Sequence, residues 1–165
     1  MTLHHLAQMN IARLVAPFED PRIADFADGL DPVNAIADAS PGFVWRLTGE
    51  GNSATDLRPW DDDDLIVNMS VWETPQHLRA FFRDPLHREY FSRRAEWFVP
   101  MDGPHVVLWW VPEGHEPTVA EAVARLQHLH KHGPSAEAFT FGEAFAAPDA
   151  QNAGTPFSFK DSCPA

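Results

Sequence analysis

The sequence contains one cysteine, Cys163, in a polar C-terminal stretch, so it can build neither a disulfide framework nor a cysteine-based metal site. That thiol is read as inert. Positive charge is scarce as well: 12 Lys+Arg stand against 24 Asp+Glu, a formal charge of −12. A negative field of that size repels the phosphate backbone that dominates nucleic-acid affinity, and it disfavours an anionic membrane. No apolar run approaches the ~18 residues needed to span a bilayer. Met1 to Asn10 has no charged segment followed by an apolar one, so no secretory signal is read and the cytoplasm is the expected location. Also missing are a Gly-x-Ser-x-Gly turn, a glycine-rich phosphate cradle and a dinucleotide fingerprint. Hydrolase and nucleotide-dependent chemistry lose support accordingly.

What is present is a core. Apolar residues make up 44% and aromatic residues 12% of 165 residues, enough to bury one domain. Leu6 to Leu14 alternates two residue sets without Gly or Pro, as a strand does. Asp20-Pro21 then caps a helix carrying Ile23, Phe26, Leu30, Val33 and Ala37, with Gly29 and Pro32 predicting a kink or two pieces. Phe43 to Thr48 and Leu65 to Trp72 read as strands of a long-looped hairpin. Thr74-Pro75 opens another helix and Asp84-Pro85 reopens it, with Tyr90, Arg94, Trp97 and Phe98 on one stripe. His105 to Pro112 is the last expected strand. Thr118-Val119-Ala120-Glu121 is a capping box for an appended helix that stops at Gly133-Pro134. Beyond Pro148 the composition predicts a loose tail, with Phe157 and Phe159 as docking points.

The order strand, helix, hairpin, helix, strand is the ferredoxin-like βαββαβ arrangement of an α+β domain. Right-handed crossovers put both helices on one sheet face, and the other face is predicted to be bare. An apolar face of that size calls for a partner, so a homodimer built by the sheet faces is expected. The stretches LAQMNIARL, LIVNMSVWETPQHLRAFF, HREYFSRRAEWF and HVVLWWVPEGHEPTVAEA resemble an uncharacterised bacterial family of the dimeric α/β-barrel superfamily. That superfamily includes antibiotic-biosynthesis monooxygenases, haem-degrading monooxygenases, chlorite-dismutase-like haem proteins and small-molecule cyclases. The resemblance implies one domain over residues 1–147, followed by the tail at 148–165.

Alternation puts Gln8 and Asn10 on one face of the first strand, and Asn68, Ser70 and Trp72 on one face of the third. As these strands are neighbours in the ferredoxin-like order, the polar side chains converge over the sheet centre, which suits a small-molecule pocket. The same set suits a hydrogen-bonded polar core. On the following helix His87 can move protons near neutral pH, Arg94 can hold an anion, and Tyr90 and Trp97 can stack on a planar ligand. An amphipathic helix with solvated His and Arg tips would read the same way. Five of the ten arginines cluster between Arg79 and Arg94, and Arg93 is assigned to a structural pair with Glu89.

His128, His130 and His132 do not point the same way on a helix, so no metal site is read there. Asp61 to Asp64 lacks the glycine punctuation of a calcium loop. The expected function is therefore a small-molecule enzyme resembling cofactor-independent monooxygenases or cyclases. His87, Arg94 and Asn10 are its catalytic candidates, and Gln8, Asn68, Ser70, Trp72, Tyr90 and Trp97 its substrate contacts. A non-catalytic ligand-binding or structural dimer is the alternative, and a haem protein is a second. In haem-degrading relatives the helix after the Trp-bearing strand supplies the axial His. Here Phe81-Phe82 stands in that register, so haem is disfavoured and no cofactor is assigned.

Overall fold

The computed structural model describes residues 3–158; Phe159, expected to dock, and Cys163, expected to be inert, lie outside them. The strands are β1 His4–Leu14, β2 Phe43–Arg46, β3 Leu65–Trp72, β4 Phe98–Val99, β5 Val106–Pro112, β6 Ala144–Phe145 and β7 Pro156–Phe157. The helices are α1 Ala24–Ala39, α2 Pro75–Phe82, α3 Pro85–Ser92 and α4 Val119–His132. The main sheet is antiparallel. Strand β1 lies between β3 on one edge and β5 with the short β4 on the other, and β2 is added outside β3. This is the expected ferredoxin-like order. Among the described residues no helix is long and apolar enough to cross a membrane.

Helix α1 runs as one helix through Pro32 rather than as two pieces. Asp28 and Pro32 are both exposed, so the carbonyl that loses its partner at the proline can turn to water. The second helical stripe does break. Helix α3 stops at Ser92, a 3₁₀ turn covers Arg94–Glu96, and Phe98 already belongs to β4. Arg93 donates to Asp25 at 2.6 Å and to Glu96 at 2.7 Å rather than to Glu89, which ties this turn to α1.

The register assigns the two faces. Leu6, Gln8, Asn10 and Ala12 sit opposite Trp72, Ser70, Asn68 and Ile66 on the helix side. Ala7, Met9, Ile11, Val67, Met69, Val71, Val107, Trp109 and Val111 form the other side. That second side is not bare. Helix α4 lays Ala122, Leu126 and Leu129 on it, and Trp45, Leu47, Leu57 and Trp60 from β2 and the loop after it cover the rest. The appended helix is therefore a cover for the sheet, because its one apolar stripe and the sheet's uncovered face can only be buried against each other.

From α4 the chain wraps the outer edge of β5. Phe139 exchanges backbone hydrogen bonds with Leu108 at 2.9 Å in both directions. Ala138 packs on the α4 side, and its neighbour Phe139 packs on the helix side with Phe141 and Ala144. The segment expected as a loose tail pairs once, β7 with β6. It also sends Asp149 to His4 at 2.7 Å.

The capping box at Thr118 forms only in its forward half. Thr118 accepts from the Glu121 N–H at 3.1 Å, while the Glu121 carboxylate accepts from the Trp109 indole at 3.0 Å and meets His115 at 2.7 Å. Burial alone would raise the Glu121 carboxyl, but the His115 and Trp109 donors outweigh it and hold the group below its usual range. Since Trp109 is fully buried, Glu121→Ala strands an indole N–H. A loss of about 1–3 kcal/mol in denaturant melts is expected. Glu121→Gln, which keeps an acceptor, should recover part of it.

Candidate functional site

On the helix side the sheet carries two apolar clusters. One gathers Leu6, Trp72, Leu78, Leu108, Phe139 and Phe141 at one end of β1, with Phe81 and Phe82 against it. The other gathers Leu14, Ile23, Ile66 and Trp97 at the opposite end, with Phe26, Tyr90 and Phe98. Between them lies the polar row Gln8, Asn10, Asn68 and Ser70. Gln8 and Ser70 are buried, Asn10 is half-buried, and Asn68 is exposed although it sits mid-strand between buried Val67 and Met69. Solvent thus reaches the sheet floor at Asn68.

The row is ordered by hydrogen bonds. The Trp72 indole donates to Ser70 Oγ at 2.9 Å, and Gln8 Nε2 donates to the same oxygen at 2.9 Å and to Asn68 Oδ1 at 3.1 Å. With its oxygen held by Gln8, the Asn68 amide turns its N–H donors away from that bond. An acceptor above the sheet would meet donors that are already oriented.

His87, on the first turn of α3 capped by Asp84, sits in a ring cage. Its centroid lies 4.8 Å from Phe81, 5.1 Å from Phe82 and 6.3 Å from Phe91. Phe81 in turn stacks on Trp72 at 5.2 Å. Nδ1 of His87 is buried and has no hydrogen-bond partner. Burial pushes the imidazole below its ordinary 6.5, and the Phe82 backbone and Asp84 oppose this only in part. Neutral His87 therefore supports the fold fully above pH 6.5, and that contribution is lost as pH falls through the lowered folded value. The stability drop between pH 8 and pH 5.5 should accordingly be smaller in His87→Phe than in the parent; equal drops would show that the ring is not desolvated.

The remaining candidates fall differently from expectation. Arg94 is exposed, donates to the Phe91 carbonyl at 2.9 Å and stands 4.1 Å over the Phe91 ring. It reaches the His87 cage through Phe91, not along one helix. Tyr90 presses on α1 where a Cβ at Gly29 would come within 2.2 Å of its ring, which is why a glycine sits inside that helix. Trp97 is 2% exposed and packs with Phe26 and Tyr90. Trp72 is wholly buried. Neither indole has a free face for a ligand: both are wall and floor supports.

Phe81, Phe82 and Phe91 are the wall residues that were not among the site candidates, although Phe91 follows His87 at helical spacing. Phe81 stacks on Trp72 at 5.2 Å, and neither Phe81 nor Phe82 carries an atom that can ligate iron. His128 and His132 lie 4.6 Å apart, and among the described residues no group of three ligating side chains forms. Grooves of about 450 Å³ beside Trp60 and α4 and about 390 Å³ beside Arg125 and Glu137 contain no residue of the polar row.

The family model described as Domain of unknown function (DUF3291) matches residues 5–155. No curated protein matches the sequence. Similar solved structures include SnoaB, a cofactor-independent oxygenase from Streptomyces nogalater, at 17% identity and TM-score 0.44, covering 71% of this chain and 98% of that one. A conserved protein from Methanosarcina mazei Go1 is 10% identical at TM-score 0.48, with 66% and 92% covered. Rv0793 from Mycobacterium tuberculosis is 14% identical at TM-score 0.46, with 69% and 99% covered.

Proposed function

The chain belongs to the DUF3291 family, and we propose from the site that it is a small-molecule enzyme acting on a planar, partly anionic substrate on the helix side of the sheet. The observation that carries this reading is Asn68, exposed at the centre of a buried strand with its amide oxygen held by Gln8. Sheet residues in such a position are normally covered, and a polar floor between two aromatic walls suits a small ring system.

The chemistry is abstraction of a proton from the carbon next to a carbonyl, or of a phenol's own O–H proton. His87, neutral through burial, takes the proton, and the Asn68 and Asn10 amides donate to the oxyanion that develops. Arg94, exposed beside Phe91, offsets the substrate's charge. The enolate carbon then adds dioxygen, the peroxide takes the proton back from His87 and the hydroperoxide loses water to leave a new carbonyl, the monooxygenase-like outcome, or it closes on an internal carbonyl whose alkoxide takes that proton, the cyclase-like outcome. Gln8, Ser70 and Trp72 act as positioning residues: Trp72 fixes Ser70, and Ser70 with Gln8 fixes Asn68. Tyr90 and Trp97 hold α3 and its following turn against α1. The homodimer expected from the sequence would have to form away from the sheet face, since that face is covered.

The test is a titration with 1-hydroxy-2-naphthoate, a planar anion, followed through the side-chain amide NMR signals of Asn and Gln. A saturable shift at Asn68, weakened by Arg94→Ala, is expected. Shifts elsewhere, or none, would favour the alternative of a packed structural domain, which the burial of Trp72 and Trp97 favours on its own.

A further inference from the structure

In one copy of this chain the sheet face opposite the site is already closed. Ala7, Met9, Val67, Met69, Val71, Val107, Trp109 and Val111 are all 3% exposed or less, and Ile11 and Leu65 are 6% exposed. We propose that α4 and the loop at 47–64 stand where a second copy's sheet would otherwise pack, so that the chain caps itself and works as a monomer.

Three observations support this. First, the cover is built for the sheet. Ala122, Leu126 and Leu129 repeat at helical spacing on the buried side of α4, while Trp45, Leu47, Leu57 and Trp60 close the other half of the face. Second, the cover is fastened at both ends. At its start Glu121 takes the buried Trp109 indole N–H and meets His115. From the middle of α4 Arg125 Nη1 donates to the Glu137 carbonyl at 2.9 Å, and past the helix end Phe139 pairs with the outer edge of β5. Third, little apolar surface is left over. A stable interface buries about 1,200–2,000 Å², whereas the exposed large apolar side chains among the described residues are Leu3 and Val44. Leu3 adjoins the β5 side of the sheet through the Glu113 N–H, and Val44 lies on β2 at the far edge, so the two cannot form one patch.

The self-cap does not depend on the proposed chemistry, and its test does not require a substrate. Light scattering of the full chain from low to high micromolar concentration should give the mass of one copy, 18.5 kDa. A second sample carries Trp60→Cys and Gln127→Cys, residues that line the same groove between loop and helix, in a Cys163→Ser background. A bifunctional maleimide then ties the cover shut. One-copy mass with and without the bridge supports the self-cap. A two-copy mass that survives bridging overturns the monomer, since the copies then pair through another surface. A two-copy mass that falls to one copy on bridging overturns the self-cap, because the dimer would then need the face that α4 and the loop cover.

Discussion

Trp72→Ala is expected to cost about 3–5 kcal/mol in denaturant melts, the usual range for deleting a large aromatic side chain from a core. The indole has no exposed surface. It stacks on Phe81 at 5.2 Å and meets Phe43 edge-on at 5.5 Å, joining α2 to β2 across the end of β3. Trp72→Phe separates packing from hydrogen bonding. It keeps a ring beside Phe81 but removes the only N–H that Trp72 gives to Ser70, so a smaller loss of about 1–2 kcal/mol is expected. In Trp72→Phe the Asn68 side-chain amide signals should also broaden or move, because Ser70 is then free to rotate away from Gln8. A Trp72→Phe variant with parent stability and unmoved Asn68 signals would remove Trp72 from the positioning chain.

The reach of sequence reasoning differs between the backbone and the site. Alternation in β1 and β3 was enough to place Gln8, Asn10, Asn68, Ser70 and Trp72 on one face, because side-chain direction in a strand follows from parity alone. Caps at Asp20, Thr74, Asp84 and Thr118 were legible for a similar reason: each accepts from a backbone N–H two or three residues on. What parity and caps do not carry is the direction of the chain once a helix ends. The stripe from His87 to Phe98 kept helical spacing in the sequence, yet Arg94 opens and Trp97 follows a 3₁₀ turn held by Arg93 to Asp25, a contact between segments far apart in the chain. Helix α4 was equally clear as a helix and unassigned as a cover. Its apolar stripe shows that it must bury something, and only the tertiary contact with Met9, Val107 and Trp109 shows what. The reciprocal half of the capping box gave way to the same force, because the buried Trp109 indole competes for the Glu121 carboxylate.

Asn68→Ala is expected to lower catalysis by about 10²-fold, the lower end of what removal of one oxyanion donor costs. Deuterium exchange at the acidic carbon of 2-tetralone, followed by NMR, gives a readout that needs only proton abstraction and enolate stabilisation. The effect should fall on the exchange rate with saturating probe, while the melting midpoint moves little, because Asn68 is exposed and removing it strands only one donor of Gln8. Gln8→Leu should act in the same direction through orientation: it frees the Asn68 amide to rotate, so exchange slows but is not abolished. Unlike Asn68→Ala, it should also destabilise the fold, since a buried Ser70 loses a partner. The acid limb of the exchange profile should lie below pH 6.5, where protonation of His87 removes the base, and His87→Ala should flatten it. Parent-like exchange in Asn68→Ala would move the oxyanion elsewhere on the row. Exchange no faster in the parent than in His87→Ala would remove proton transfer by His87 from the reading.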